Sequence, residues 1–414
     1  MAKHAVLSSG AKMWRSVACA KSELRLDLTL ACGQSFRWKE TAVGHWTGVM
    51  GGRVWTLTQT DDTLWYYIYK IQDTQKEEGD KKKRTDGCLQ KGNKVKNAFK
   101  ADLKKEEEEP LAVTSVQNSE EEEKMLRDYF QLNVNLGDLY RDVGATDCHF
   151  KRIADIFSGV RMLRQDPTEC LFSIICTSNN HISRIQGMVE RLCQALGMPL
   201  CQLDQTSYHD FPTLSALAES SVEARLRDLG FGYRARFLQQ SAKQILDTHG
   251  PQWLDSLREV PYLEARDALR TLPGVGAKVA DCVCLMSLNK SEAVPIDTHV
   301  WQIAKRDYKY AAGSGQKSIT DRLYRDIGDF FRKQWGPYAG WVQSVLFCAD
   351  LKKFQSVKER SHVKQAKEED VEERIATCKK AKMKREYNGT VKNLKTEPAC
   401  HKKAKVSVKR EKVV

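Results

Sequence analysis

LPGVGAKVADCVCLM, residues 272–286, sets a lysine just past a glycine-rich turn, at the head of a segment that is otherwise almost wholly apolar. A helical pattern ends near Thr271 and another begins near Ala277, with Pro273-Gly274-Val275-Gly276 between them. Gly274 and Gly276 let the backbone turn sharply and present its N–H groups, and the following helix N-terminus adds the positive end of its dipole. That combination suits a DNA phosphate and defines a helix-hairpin-helix pattern, which many nucleic-acid proteins use merely to hold backbone. Lys278 opens the second helix with Cys282 and Leu285 on its face at i+4 and i+7, so its amine is expected to be half-buried. Two readings are open. Lys278 pairs with Asp281 at i+3 or with a phosphate, or partial desolvation disfavours its charged form and frees the amine to attack carbon.

Working outward, Val294-Pro295-Ile296-Asp297-Thr298-His299-Val300-Trp301 places an aspartate at the start of a fresh helical pattern, nineteen positions after the lysine. Asp297 is an ordinary N-cap by type, and it would keep an oxygen free to stabilise positive charge. The helical period runs from about Lys124 to Leu351, with segments expected at 222–229, 234–247, 262–271, 277–288, 298–306 and 318–333. Asp166-Pro167-Thr168-Glu169 is a start signal with cap, first-turn proline and glutamate in order. It opens a helical stretch to Leu192 that is broken near Asn179-Asn180.

Toward the N-terminus the period changes to two. His45–Met50 and Arg53–Thr58 flank Gly51-Gly52 as a hairpin, and Leu64–Tyr69 follows an Asp61-Asp62 turn, which gives an antiparallel sheet. The expected fold class is therefore α+β, with an N-terminal antiparallel β domain at 1–70 packed on an all-helical core at 124–351. Residues 71–123 read as a disordered charged insert and 352–414 as a disordered basic tail.

The chain has 414 residues, 41% of them hydrophobic, and a net charge of +13. Most of that charge lies in the tail, where 20 basic residues face 9 acidic ones, whereas the insert holds 11 basic and 14 acidic. No apolar run reaches a membrane span and the first thirty residues lack a secretory pattern, so neither membrane insertion nor secretion is expected. Thirteen cysteines at irregular spacing suit reduced thiols, and no Gly-rich nucleotide motif is present. The cluster Lys379-Lys380-Ala381-Lys382-Met383-Lys384-Arg385 fits nuclear import or a nucleic-acid contact. Residues 1–21 carry lysines, an arginine and no acid, which adds mitochondrial import to the expectation.

Lysine in LPGVGAK followed by VPIDTH at this interval resembles the helix-hairpin-helix superfamily of base-excision DNA glycosylases. The iron-sulfur branches carry four closely spaced cysteines after the aspartate, whereas only Cys348, Cys378 and Cys400 follow here. Four stretches bring the chain nearer to the eukaryotic 8-oxoguanine DNA glycosylases: Gly33-Gln34-Ser35-Phe36-Arg37-Trp38, Ser178–Arg184, Gly232-Tyr233-Arg234-Ala235-Arg236, and Trp335–Phe347. The resemblance covers about residues 22–69 and 125–351.

This resemblance implies a glycosylase with accompanying AP lyase activity that acts on duplex DNA carrying 8-oxoguanine opposite cytosine. Lys278 would be the nucleophile and Asp297 the stabiliser of the cationic sugar. The Gly33 carbonyl would accept from N7–H, which guanine lacks, Phe347 and Cys282 would sandwich the base, and Gln343 would bond its Watson–Crick edge. For Gly33 an ordinary turn, and for Phe347 and Cys282 core packing, are the structural alternatives. Asn179, Tyr233, Arg184 and Arg234 match the gap filler, the wedge and two cytosine readers, and His299 a residue near the DNA backbone. Loop capping by Asn179, phosphate contacts by the arginines and a helix-start histidine are the alternatives there. His181 stands where the family pattern has a third asparagine. No redox cofactor is implied, only a structural cation on hairpin carbonyls, and the protein is expected to be monomeric. A glycosylase for oxidised pyrimidines would share Lys278 and Asp297 without needing Gly33 or Gln343, and a non-catalytic DNA-binding module would need only the hairpin.

Overall fold

The computed structural model describes residues 2–7, 13–70, 112–311, 318–360 and 379. Met1–Phe354 forms one compact unit and Gln355–Val414 a second, of which residues 355–360 are helical. Within the first unit, strands β1 (Arg15–Ala18), β2 (Lys39–Ala42), β3 (His45–Met50), β4 (Arg53–Gln59) and β5 (Thr63–Ile68) form an antiparallel sheet in the order β1-β5-β4-β3-β2. The β3–β4 hairpin turns on Gly51-Gly52, both at positive φ, with Met50 facing Arg53, as the alternation of the sequence predicts. The outer strands β1 and β2 were not foreseen.

The expectation of an all-helical core is corrected by a second sheet, β6 (Pro199–Leu203) paired with β7 (Thr206–His209). Leu200, Leu203 and Tyr208 bury against Val49 and Val54 of the first sheet and Tyr69 just after β5, so this hairpin extends the β layer from within the helical part of the chain. A second difference lies in the charged insert. The helix Ala112–Tyr129 begins inside the segment read as unstructured to 123, and its buried Glu122 pairs with Arg15 of β1 and Arg53 of β4. The rest of that segment, 71–111, lies outside the described residues, as does the tail beyond 360 apart from Lys379. Among the described residues, no helix is long and apolar enough to cross a membrane.

Sheet and helices are tied by buried polar side chains. Trp38 Nε1 donates to Tyr129 Oη at 3.0 Å. Arg161, 1% exposed, donates to the carbonyls of Glu23, Gln131 (2.7 Å) and Val134 (2.6 Å) and to the Glu23 carboxylate at 2.6 Å. A buried guanidinium is tolerated because its donors are spent in this way. The helical segments expected from 222 onward are present, with Arg234–Gln244 running on into a π-helical turn, Ile245–His249. The long stretch after Asp166 is two helices, Pro167–Ile175 and Ile182–Leu196, separated by the loop that carries Asn179 and Asn180.

Candidate nucleic-acid and base-excision site

The hairpin is held by local geometry and by one helix beneath it. Gly274 has φ +77, and a Cβ there would stand 2.6 Å from ring atoms of Phe237, so only glycine fits. Ser241 Oγ donates to the Pro273 carbonyl at 2.9 Å and Gln244 Nε2 to that of Thr271 at 3.3 Å, which seats the turn on the helix Arg234–Gln244. Gly276 is the N-cap of Ala277–Ser287 and supplies no side-chain cap, so first-turn N–H groups are left to an external acceptor.

Lys278, in the first turn of that helix, is half-buried. Its Nζ donates to Thr177 Oγ1 at 3.1 Å. The alternative pairing with Asp281 is excluded. Asp281 is 1% exposed, accepts from Tyr262 Oη at 2.8 Å and Tyr324 Oη at 2.6 Å, and lies 2.9 Å from Arg266 Nε. Burial raises its pKa, an effect that Arg266 and the two tyrosines partly offset. Asp297 caps the helix Thr298–Arg306 by accepting from Val300 N at 2.9 Å, and its other oxygen has no role in the cap.

Lys278 and Asp297 share one pocket with Gly33, Cys282, Gln343 and Phe347. The pocket encloses about 510 Å³ when its open mouth is counted. Ile174, Met286, Pro295 and Val300 supply apolar wall that the sequence reading did not assign. Gly33 has φ +88 and is held by its neighbour: Gln34 donates through Nε2 to the Arg161 carbonyl (2.8 Å) and accepts at Oε1 from Leu163 N (3.0 Å). Gln343 and Phe347 lie one turn apart on the helix Ala339–Asp350. Burial raises the Cys282 thiol above its usual range, with Lys278 opposing, so it remains a neutral thiol near pH 7. His299 packs edge-on to Phe347 at 5.8 Å and bonds Asp350 at 3.2 Å.

A second group gathers on the loop between the helices Pro167–Ile175 and Ile182–Leu196. Asn179 sits there at φ +47. Tyr233 is 49% exposed, donates to the Ser178 carbonyl at 3.3 Å and packs on Phe237 at 5.8 Å, so one phenylalanine underlies both this aromatic and the hairpin glycine. Arg234 is buried. Its guanidinium donates to the Ser178 carbonyl and, at 3.3 Å, to that of Asn179, and lies 4.6 Å over the Tyr233 ring. Its Nη2 is therefore occupied by the Ser178–Asn179 loop, while its Nε is buried without a partner. Arg184 is exposed on the helix that His181 caps, with His181 Nδ1 accepting from Arg184 N at 3.4 Å. Histidine thus takes over the capping task that an asparagine would perform.

The arrangement offers a half-buried amine and a carboxylate lining one pocket, with an adjoining loop and hairpin suited to a DNA backbone. The family model described as "8-oxoguanine DNA glycosylase, N-terminal domain" matches residues 16–171, and "HhH-GPD superfamily base excision DNA repair protein" matches 172–326. The chain is 35% identical over 347 residues to the N-glycosylase/DNA lyase OGG1 of Arabidopsis thaliana, covering 83% of this chain and 82% of that protein. It is 34% identical to the N-glycosylase/DNA lyase of Saccharomyces cerevisiae over 81% of this chain and 85% of that one. The 8-oxoguanine glycosylase/lyase of Clostridium acetobutylicum, solved with double-stranded DNA containing cytosine opposite 8-oxoguanine, superposes with a TM-score of 0.61 at 25% identity. It covers 79% of this chain and 91% of that one. With the site and these matches in agreement, the chain belongs to the N-glycosylase/DNA lyase OGG1 family of helix-hairpin-helix base-excision repair proteins.

Proposed function

We propose that this chain excises 8-oxoguanine from duplex DNA in base-excision repair and then nicks the strand by β-elimination. The observation that carries the reading is the convergence of Lys278, Asp297, Gly33, Cys282, Gln343 and Phe347, drawn from four separated stretches of sequence, on one pocket. A base stacked in a duplex is out of reach, so the lesion must be extruded into that pocket, and Asn179 and Tyr233 are assigned to the gap it leaves. Arg184 and Arg234 are assigned to the widowed cytosine, and Arg234 must leave the Ser178 and Asn179 carbonyls to reach it. The Gly33 carbonyl accepts from N7–H of the lesion, Gln343 bonds the Watson–Crick edge, and Cys282 and Phe347 cover the two faces of the ring. His299 and the hairpin N–H groups take the phosphate backbone.

The Lys278 amine gives its lone pair to C1′, and the pair of the broken glycosidic bond leaves with the purine, which takes up a proton. Positive charge that develops on the sugar faces the Asp297 carboxylate. Ring opening yields a Schiff base, and loss of a C2′ proton expels the 3′ phosphate. Burial of the Cys282 thiol makes the sulfur a poor nucleophile, which supports assigning the attack to the nitrogen of Lys278. The carbonyls of Thr271 and Pro273 each keep one lone pair after bonding Gln244 and Ser241, which fits a structural cation that would screen a phosphate. No redox cofactor enters this chemistry. We assign the protein to the nucleus as a monomer, with mitochondrial import through residues 1–21 as a second destination. Borohydride trapping on duplexes with 8-oxoguanine opposite cytosine, thymine glycol, or no lesion tests the reading. A covalent adduct with the first alone is expected, an adduct with thymine glycol alone would make it an oxidised-pyrimidine enzyme, and none would leave a DNA-binding module.

A further inference from the structure

We infer that Thr177 is a positioning residue for the Lys278 nucleophile, an inference that rests on the excision chemistry proposed above. Thr177 follows the helix Pro167–Ile175, at the start of the loop that carries Asn179. A separation of 101 residues lies between it and the lysine whose Nζ it binds at 3.1 Å. Its own hydroxyl proton is donated to the Ile174 carbonyl at 2.7 Å. A hydroxyl has one proton and two lone pairs, so Thr177 Oγ1 faces Lys278 as an acceptor only. Asp281, the carboxylate one turn along from Lys278 on its helix, is committed elsewhere, held by Arg266, Tyr262 and Tyr324.

A lysine amine rides on four rotatable bonds, and attack on an anomeric carbon needs the nitrogen within about 3–3.5 Å and correctly aligned. Thr177 fixes the direction of one N–H. Because the nitrogen is tetrahedral, its lone pair then takes a direction away from Thr177, and Lys278 itself lines the pocket. Ile174, which receives the threonine proton, is itself a wall of that pocket, so the anchor is built into the rim that receives the base. The effect is on orientation of the nucleophile once DNA is bound, and DNA affinity does not depend on it.

Single-turnover excision of 8-oxoguanine opposite cytosine, with duplex affinity measured in parallel, tests this. Thr177→Val keeps the shape and removes the acceptor. It should slow excision roughly tenfold, the worth of one well-placed hydrogen bond, while leaving Kd within about twofold of wild type. Thr177→Ser restores the hydroxyl and should recover most of the rate. Thr177→Ala serves in place of valine if thermal unfolding shows the valine variant to be misfolded. A wild-type rate in the variant lacking the hydroxyl overturns the assignment, as does a serine variant as slow as valine, which would mean packing, or a loss confined to Kd. Lys278→Gln is run alongside: if it still excises, the chemistry itself fails, whereas an inert Lys278→Gln with an unaffected Thr177→Val refutes only the role of Thr177.

Discussion

Replacing Gly33 by alanine separates the pocket's geometry from the chemistry it serves. At φ +88 the glycine occupies backbone space in which a β-carbon costs about 1–2 kcal/mol. The new Cβ would lie 3.2 Å from Ile182 Cδ1, the end of a flexible side chain that gives way by a few tenths of an ångström, so backbone strain is the larger part. At about 2–4 °C per kcal/mol for domains of 150–250 residues, thermal unfolding of the variant should fall by a few degrees. If instead the backbone relaxes to relieve the strain, the carbonyl proposed to accept from N7–H is re-aimed. A buried donor left unsatisfied costs about 1–3 kcal/mol, or roughly 5- to 160-fold in kcat/KM for 8-oxoguanine. Single-turnover excision from 8-oxoguanine duplexes, compared with unfolding temperature, reads both quantities. A variant with wild-type excision and wild-type stability would refute the claim that position 33 needs glycine for either reason.

Asp297 has a capping task and a proposed electrostatic one, which substitutions separate: Asp297→Asn keeps the cap on Val300 N, whereas Asp297→Ala loses it at about 1 kcal/mol of stability. Both should reduce excision by at least roughly 100-fold, since both remove the charge, and full activity in the asparagine variant would confine Asp297 to capping. Asp281→Ala strands Arg266, Tyr262 and Tyr324, and denaturant unfolding should show a loss of about 3–5 kcal/mol; less than about 1 kcal/mol would show the network to be dispensable. Glu169, whose side chain is 15% exposed and 3.9 Å from Arg37, has its pKa raised by burial to about 7 from an ordinary 4.5. Its contribution to stability is present below 4.5 and lost as pH rises through about 7, so wild type should lose up to about 3 kcal/mol relative to Glu169→Gln over that window. A difference that stays constant between pH 5 and 8 in urea unfolding would show that Glu169 titrates normally.

What the sequence made legible was governed by local rules. Asp166 with Pro167, and Asp297 before Thr298, cap their helices as their types require, accepting from Glu169 N at 2.8 Å and Val300 N at 2.9 Å. Gly274 lies where φ is positive, and the alternation around Gly51-Gly52 is the observed hairpin. The β6–β7 hairpin escaped notice because its turn uses Asp204 at φ +49 rather than glycine, and its strands are short and partly polar. The helix from Ala112 was hidden by a glutamate run that resembles a solvated linker, although Glu122 meets Arg15 and Arg53 from distant strands. Thr177 against Lys278, and the tyrosines around Asp281, are tertiary meetings with no local signature. For Arg234 the sequence identified the residue but not its orientation, which is fixed by the carbonyls of Ser178 and Asn179.

The account turns on the nitrogen of Lys278. Purified Lys278→Gln, shown by thermal unfolding to be folded and by titration to bind the duplex, should release no measurable 8-oxoguanine and give no borohydride-trapped adduct, while wild type does both on the same DNA. Release of the free base by that variant at the wild-type rate would mean that another group attacks the sugar, and the pocket would have to be read again without its nucleophile.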